Sequence, residues 1–321
     1  MDAIALQAAE RSVKRSALGL VVQFAVSLAL LALLARRIPV ADTLTAFHRV
    51  RPATIVAAVV LSLIGYLGRA WRWAALLARA GVAIPARTSY TLTLAGTAYG
   101  LVTPGRVGEF ARVLHMPLPR SQTLPSVVWD RAGDLVLLEL MSIPAFLAIP
   151  AWRGVLFALY LGIVAATLGL VAALDRPGSA AHLGRLVPPL AGPLARWSAH
   201  SGGMLGSRAF RLGLVSGLFF YAFIYAGAWL LVRDLAPQAS PLLLLGFPII
   251  PLLGNLPIAF GGLGLREQVS ATLFGSFGVG AATGPAFSLL WFAVATLIPG
   301  LIGLALAATP WARLRPAMES P

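Results

Sequence analysis

Along the chain, long apolar runs alternate with short polar stretches that carry arginine. Apolar runs near 17–35, 53–77, 124–149, 154–174, 211–232 and 284–308 each approach or exceed the roughly 20 residues a helix needs to cross a bilayer. Two further apolar regions differ. Region 88–119 is interrupted by Pro104, Gly105, Arg106, Gly108 and Glu109. Region 241–281 is interrupted by Pro248, Pro251, Pro257, Gly261, Gly262, Gly264, Arg266 and Glu267. Each is too long for one straight helix and is broken near its centre. Broken backbone at membrane depth is tolerated only where protein or a polar cavity surrounds it.

Composition makes the bilayer the main solvent. Of 321 residues, 59% are hydrophobic and 11% charged, and a soluble fold has too few charges here to cover so much apolar surface. The net charge is +14, and Lys14 is the single lysine among 25 basic residues. The arginines scatter through loops and span ends, which suits anionic headgroups. No zinc-finger spacing, basic helix or aromatic-basic sheet pattern points to nucleic acid. The chain has no cysteine, which removes disulfides, thiolate metal sites and cysteine nucleophiles. Residues 1–16 are polar and no small-residue cleavage motif follows the first run, so that run is expected to stay in the mature protein. No water-soluble catalytic domain is expected at either end.

Basic residues suggest an orientation. Those before the first span, those in the linker 175–210 (Arg176, Arg185, Arg196, Arg208) and those in the tail 309–321 (Arg313, Arg315) read as cytoplasmic. The loop 36–52, with Arg36, Arg37, Arg49 and Arg51, is an exception. Parity then requires that 88–119 and 241–281 make no net crossing, the first entering from the cytoplasmic side and the second from outside. Two full crossings in each would also keep parity, but segments such as 89–103 are short for that. The fold expected is therefore an all-α polytopic membrane protein. It has about six full spans and two broken re-entrant hairpins in an inverted-topology repeat. One transmembrane domain covers 17–308, with one half near 53–174 and the other near 211–308.

The stretch Thr103-Pro104-Gly105-Arg106-Val107-Gly108-Glu109-Phe110-Ala111-Arg112 resembles the signature of flippase-like integral membrane proteins related to the transmembrane flippase region of lysylphosphatidylglycerol synthase. Asp130-Arg131-Ala132-Gly133-Asp134 is similar to that family's acidic-basic element, with Asp130 where Glu is frequent. Leu256-Pro257 with Gly261-Gly262-Leu263-Gly264-Leu265-Arg266-Glu267 resembles its second glycine break, and Ser288 with Pro299-Gly300 its last helix. The likeness runs over roughly 15–308. It implies movement of a lipid between leaflets, as by a relative that moves an aminoacylated phospholipid, other members being linked to hopanoid or isoprenoid-lipid metabolism. The chain lacks the aminoacyl-transferase domain of the full synthase and so is not expected to make lysylphosphatidylglycerol. The Asn common before the first Pro-Gly break is also missing; Thr97, Tyr99 and Thr103 supply polar groups there.

The residues themselves leave alternatives open. Arg106, Glu109 and Arg112 repeat at i,i+3 and share a face if a helix restarts after Gly105. They either meet a lipid phosphate, helped by free backbone N–H groups, or close the break as an ion-pair network. Asp130 and Asp134 lie at i,i+4 and need a cation between them or a raised pKa. Arg106, Arg112 or Arg131 are candidate cations, a coupling proton is the alternative, and Glu139 reads as interfacial or bundle-facing. Arg266 and Glu267 are adjacent and cannot both face one cavity. Arg69 and Arg72, beside Trp71 and Trp73, read as an interfacial anchor, with substrate contact by Tyr66 and Arg72 the alternative. His48, His115, His182 and His200 are dispersed without ligand spacing.

The leading expectation is a lipid translocase of the cell membrane, with both termini cytoplasmic and no cofactor or metal. Its partners are expected to be anionic or isoprenoid-linked membrane lipids and no nucleic acid, with homo-oligomerisation open. A membrane-embedded lipid-phosphate transferase or phosphatase and a non-catalytic lipid-binding subunit are the alternatives. Single cysteines introduced into this cysteine-free chain check the topology. Both termini should react with an impermeant thiol reagent from the cytoplasmic side, and labelling of the two ends from opposite sides would refute the parity argument.

Overall fold

The computed structural model describes residues 25, 28, 29, 32, 33, 36, 40–101, 103–116, 120–149, 152–176, 202–256, 259–280 and 282–309. Segment 1–16, most of the expected span 17–35, most of the linker 175–210, Pro257 and nearly all of the tail lie outside these residues.

The described structure is helical, with no strand among the described residues. Helix α1 is Val40–Phe47, α2 Pro52–Arg79 and α3 Ala86–Leu101, followed by a 3₁₀ segment, Pro104–His115. Then come α4 Arg120–Ala148, α5 Val155–Asp175 and α6 Arg208–Leu235. Beyond a 3₁₀ turn at Pro241–Gly246 are the short α7 Ile249–Gly254, another 3₁₀ turn at Phe260–Gly262 and α8 Leu265–Ser276. Helix α9, Thr283–Ala307, contains a π-helical turn at Ala293–Leu297. Four helices are long and apolar enough to cross a membrane: α2, α5 (over Leu156–Ala173), α6 and α9. Helix α4 occupies the expected run 124–149, but Asp130, Arg131, Asp134 and Glu139 make it the most charged of the long helices. Both expected breaks are present. The chain leaves helix between α3 and the 3₁₀ segment, and again between α7 and α8.

Local chemistry sets these boundaries. Pro52 opens α2, where its missing N–H is not needed. The helix closes at Gly81, whose φ of 80° is left-handed. Val82 N–H donates to the Leu77 carbonyl at 2.9 Å and Gly81 N–H to the Ala78 carbonyl at 3.0 Å, while Val82 packs with Leu77, as in a Schellman cap. In α9, Pro299 has no N–H to offer the Ala295 carbonyl four residues earlier. The Tyr66 hydroxyl of α2 donates to that carbonyl instead, at 3.0 Å.

Helices approach closely where side chains are small, since van der Waals packing rather than water exclusion drives association in lipid. Gly65 and Gly68 of α2 face the backbone of α6 at Phe220 and Ser216, and Gly227 of α6 lies against Ala58. Gly300 and Gly303 of α9 lie on Ala98, Leu94 and Ala95 of α3. The opposite side of α2 presents Val56, Val60, Leu67 and Trp71 outward. In this way α2, α3, α4, α6 and α9 pack around both breaks, while α5 stays largely exposed.

The packing predicts a contrast between two glycine substitutions. In Gly303→Ala the new methyl would overlap the α3 backbone, whereas Gly162 of α5 has nothing within 4 Å of the equivalent position. G303A should lower thermal stability in detergent by an amount typical of overpacking, about 1–3 kcal/mol. G162A should be neutral or slightly stabilising; equal unfolding temperatures for the two would contradict the α3–α9 contact.

Candidate functional site

The 3₁₀ segment after the first break has three residues per turn, so side chains three apart stack on one face. Arg106, Glu109 and Arg112 have that spacing. The segment begins with an uncommon backbone, Arg106 having φ 58°, a left-handed value rarely taken by a side chain this large. It lies tight against α3 because of glycine: a methyl on Gly100 would strike the Glu109 side chain, and one on Gly108 would strike the Tyr99 carbonyl. Thr103 anchors the turn, its hydroxyl accepting from Gly108 N–H at 2.6 Å.

Behind this segment is a buried ionic network. Arg72 of α2 bridges the two α4 carboxylates, donating to Asp130 at 2.6 Å and to Asp134 at 2.5 Å. Arg112 donates to the other oxygen of Asp130 at 2.6 Å and lies over the Trp73 ring, 4.3 Å from its centroid. Trp73 is itself fixed by its indole N–H, which donates to the Ser126 hydroxyl at 3.0 Å. Arg69 joins Asp134 at 2.9 Å to Glu109 at 3.0 Å. Glu109 also pairs with Arg106, at 3.2 Å, and with Arg131. Five arginines thus share three carboxylates. Of the two possibilities for Asp130 and Asp134, the structure contains the intervening cation, supplied chiefly by Arg72.

Arg69 and Arg72 correct the sequence reading. They do not anchor the protein at the interface: they are 3% and 2% exposed and lie at the centre of the network, whereas Trp71 points outward at 50% exposure. Their position on the face of Ser62, Gly65 and Gly68 is the signal that locates them, because that small-residue face packs on α6. The neighbouring tryptophans obscured it.

The second break resolves the Arg266–Glu267 alternative. Gly261, Gly262 and Gly264 have φ of 57°, 74° and 81°, a left-handed run that turns the chain into α8. Glu267 faces back into the helix start, accepting from Gly264 N–H at 2.7 Å and from the Ser288 hydroxyl at 3.0 Å. Arg266 faces the cavity, lies 4.0 Å from the Phe292 ring centroid and packs on Gly254, where a methyl would overlap its stem. The two breaks meet: Arg106 of the first donates to the Asn255 side chain beside the second, at 3.5 Å. Asn255 escaped the sequence reading, which sought an asparagine only before the first break.

Between the breaks is a cavity of about 100 Å³. Among the residues expected for a site, Arg106, Arg131, Asp134, Arg266 and Gly261 line it. Glu109, Arg112, Asp130 and Glu267 instead hold the lining arginines or their neighbours in place. Pro104, Gly105 and Gly108 form the first turn, Gly262 and Gly264 the second, and Pro257 lies outside the described residues. Arg69, Tyr225, Asn255 and Trp291 add to the polar lining, as do Tyr66, Tyr221, Ser288 and Thr296, and Glu139 is elsewhere on α4. Several lining donors have no hydrogen-bond acceptor, among them Arg266 Nε, Trp291 Nε1 and the Tyr225 hydroxyl. No cluster of three or more His, Cys, Asp or Glu suited to a metal occurs among the described residues.

The family model for the transmembrane region of lysylphosphatidylglycerol synthase matches residues 20–303, a stretch that holds both breaks and the whole ionic network. A comparison with curated proteins gives no significant match.

Removing one partner of a buried ion pair typically costs about 3–5 kcal/mol, because the remaining charge is left uncompensated. Asp130→Asn should therefore strongly destabilise the protein, since both Arg72 and Arg112 depend on it. Asp234→Asn should cost much less, because its partner Arg51 is 75% exposed and the amide oxygen can still accept from it. Thermal unfolding of the two purified variants checks this, and equal stabilities would contradict the network's structural role.

Proposed function

The chain belongs to the family of the lysylphosphatidylglycerol synthase transmembrane region, and from that premise we propose that this multi-pass membrane protein is a lipid translocase. A lipid headgroup enters the cavity between the two breaks while the tails stay in the bilayer. Charged groups at membrane depth normally face a partner or a water-filled path. The observation that carries the reading is the cavity wall itself: arginines, an indole N–H and a phenol with spare donors, all inside an apolar bundle. In the proposed topology each broken region re-enters from its own face, both termini are cytoplasmic, and one repeat rocks against the other to expose the site alternately.

The carboxylates favour transport over chemistry. Each of Glu109, Asp130 and Asp134 is ion-paired with at least two guanidinium groups, and Glu267 caps α8. A nucleophile or general base needs a free lone pair directed at the substrate, and these oxygens are already engaged. The reading therefore assigns them to positioning.

Sealed liposomes containing the purified protein, with labelled lipids of several headgroups in one leaflet, test this. A lipid should change leaflet without changing mass and without ATP. Arg131→Ala should slow movement about tenfold or more, as expected from loss of a charged hydrogen bond worth about 1.5–3 kcal/mol. Arg153→Ala, at an exposed position in the turn between α4 and α5, should leave the rate unchanged. A protein-dependent product of altered mass would favour the transferase or phosphatase alternative. Tight lipid binding with no movement would favour a lipid-binding subunit.

A further inference from the structure

The charge balance of the cavity carries the reading further, to the kind of headgroup it fits. Arg69, Arg72, Arg106, Arg112, Arg131 and Arg266 face Glu109, Asp130, Asp134 and Glu267 within the two linked breaks. Six formal positive charges against four negative leave a surplus of +2. It is not spread evenly. Arg72 and Arg112 are sealed against Asp130, with side chains 2% and 1% exposed. Arg106, Arg131 and Arg266 retain 19%, 17% and 11% exposure and all line the cavity. The uncompensated charge therefore sits at the wall.

The neutral lining points the same way. Trp291 is 7% exposed, and its indole N–H, which can only donate, has no acceptor. Arg266 Nε and the Tyr225 hydroxyl are also buried without a partner. A buried donor without an acceptor has lost its hydration with nothing in exchange, so this wall suits a ligand rich in acceptor oxygens. Asp134, the carboxylate on the cavity wall, is engaged by Arg69 and Arg72. A headgroup bearing an ammonium would meet surplus positive charge and no free anion.

We propose that the cavity is the receptor for a lipid phosphomonoester, a terminal phosphate bound between Arg106, Arg131 and Arg266 with Trp291 and Tyr225 as further donors. The inference rests on the cavity being the headgroup site of the proposed translocase. A phosphomonoester carries about −1.5 to −2 charges at pH 7 and three strong acceptor oxygens, which matches the surplus and the spare donors. A phosphodiester brings a single charge, and an aminoacylated phosphodiester brings a cation as well. The same chemistry occurs on diacylglycerol and on polyprenyl tails.

The test is binding to the purified full-length protein in detergent, read by ligand-induced thermal shift and by titration. The probes are phosphatidic acid, a polyprenyl monophosphate, phosphatidylglycerol and lysylphosphatidylglycerol. At least one monoester should bind about tenfold or more tightly than phosphatidylglycerol, with the lysyl lipid weakest. Selectivity for phosphatidic acid alone would identify a diacylglycerol source, and selectivity for the polyprenyl lipid an isoprenoid one. Arg266→Gln should compress the monoester preference towards one. Trp291→Phe, which keeps the ring and removes the donor, should weaken the monoester several-fold without lowering the unfolding temperature of the free protein. Phosphatidylglycerol or the lysyl lipid binding as tightly as both monoesters would overturn the proposal, as would a preference unchanged in a folded W291F and a folded R266Q. The liposome assay separates the two readings. Selective monoester binding without movement would sustain this inference and refute translocation, whereas movement of a lysyl lipid that also binds best would do the reverse.

Discussion

The bridge from Arg72 to Asp130 and Asp134 is the interaction on which the rest of the structure depends. Two carboxylates one helical turn apart would repel each other inside an apolar bundle. A guanidinium between them, donating from two of its nitrogens, converts that repulsion into a clamp of α2 on α4. Arg112 then fastens the first break to Asp130, and Arg69 fastens Glu109 to Asp134. Glycines at 213 and 217 make room on α6 for the Arg72 side chain. The network thus links α2, α4 and the 3₁₀ segment through groups that hydrocarbon cannot solvate, so that partial opening carries a large penalty.

That arrangement divides labour within short stretches of sequence. Asp130 faces the sealed network while Arg131, the next residue, faces the cavity. Glu267 completes the start of α8 while Arg266 lies along Phe292. At each break, a glycine on the preceding helix, Gly100 or Gly254, lets an ionic side chain from the following segment lie against bare backbone. The result is a cavity whose wall is fixed from behind, so a headgroup would meet preplaced donors rather than order them on arrival.

Much of this was legible in the sequence. The apolar runs located α2, α4, α5, α6 and α9, and the Gly/Pro/charge interruptions located both breaks. Helix and breakpoint positions are local properties, set by residues a turn apart. What escaped depended on distance in the chain. Arg69 and Arg72 could be read as snorkelling beside tryptophans because nothing local reveals that α6 covers their face. Asn255 became visible as a site residue only when the fold brought it to Arg106, 149 positions away. The i,i+3 pattern of Arg106, Glu109 and Arg112 was correct, but its partners on α2 and α4 were not readable from spacing.

In the proposed translocase, the cavity between the breaks holds a lipid headgroup through the arginines that the network leaves partly free. An experimental structure of the protein in nanodiscs of native lipid tests it most directly. Phosphate density is expected within hydrogen-bonding distance of Arg106, Arg131 and Arg266, with tails leaving the cavity between helices. Headgroup density confined to the bundle's periphery, with a tail or apolar density filling the cavity, would contradict it.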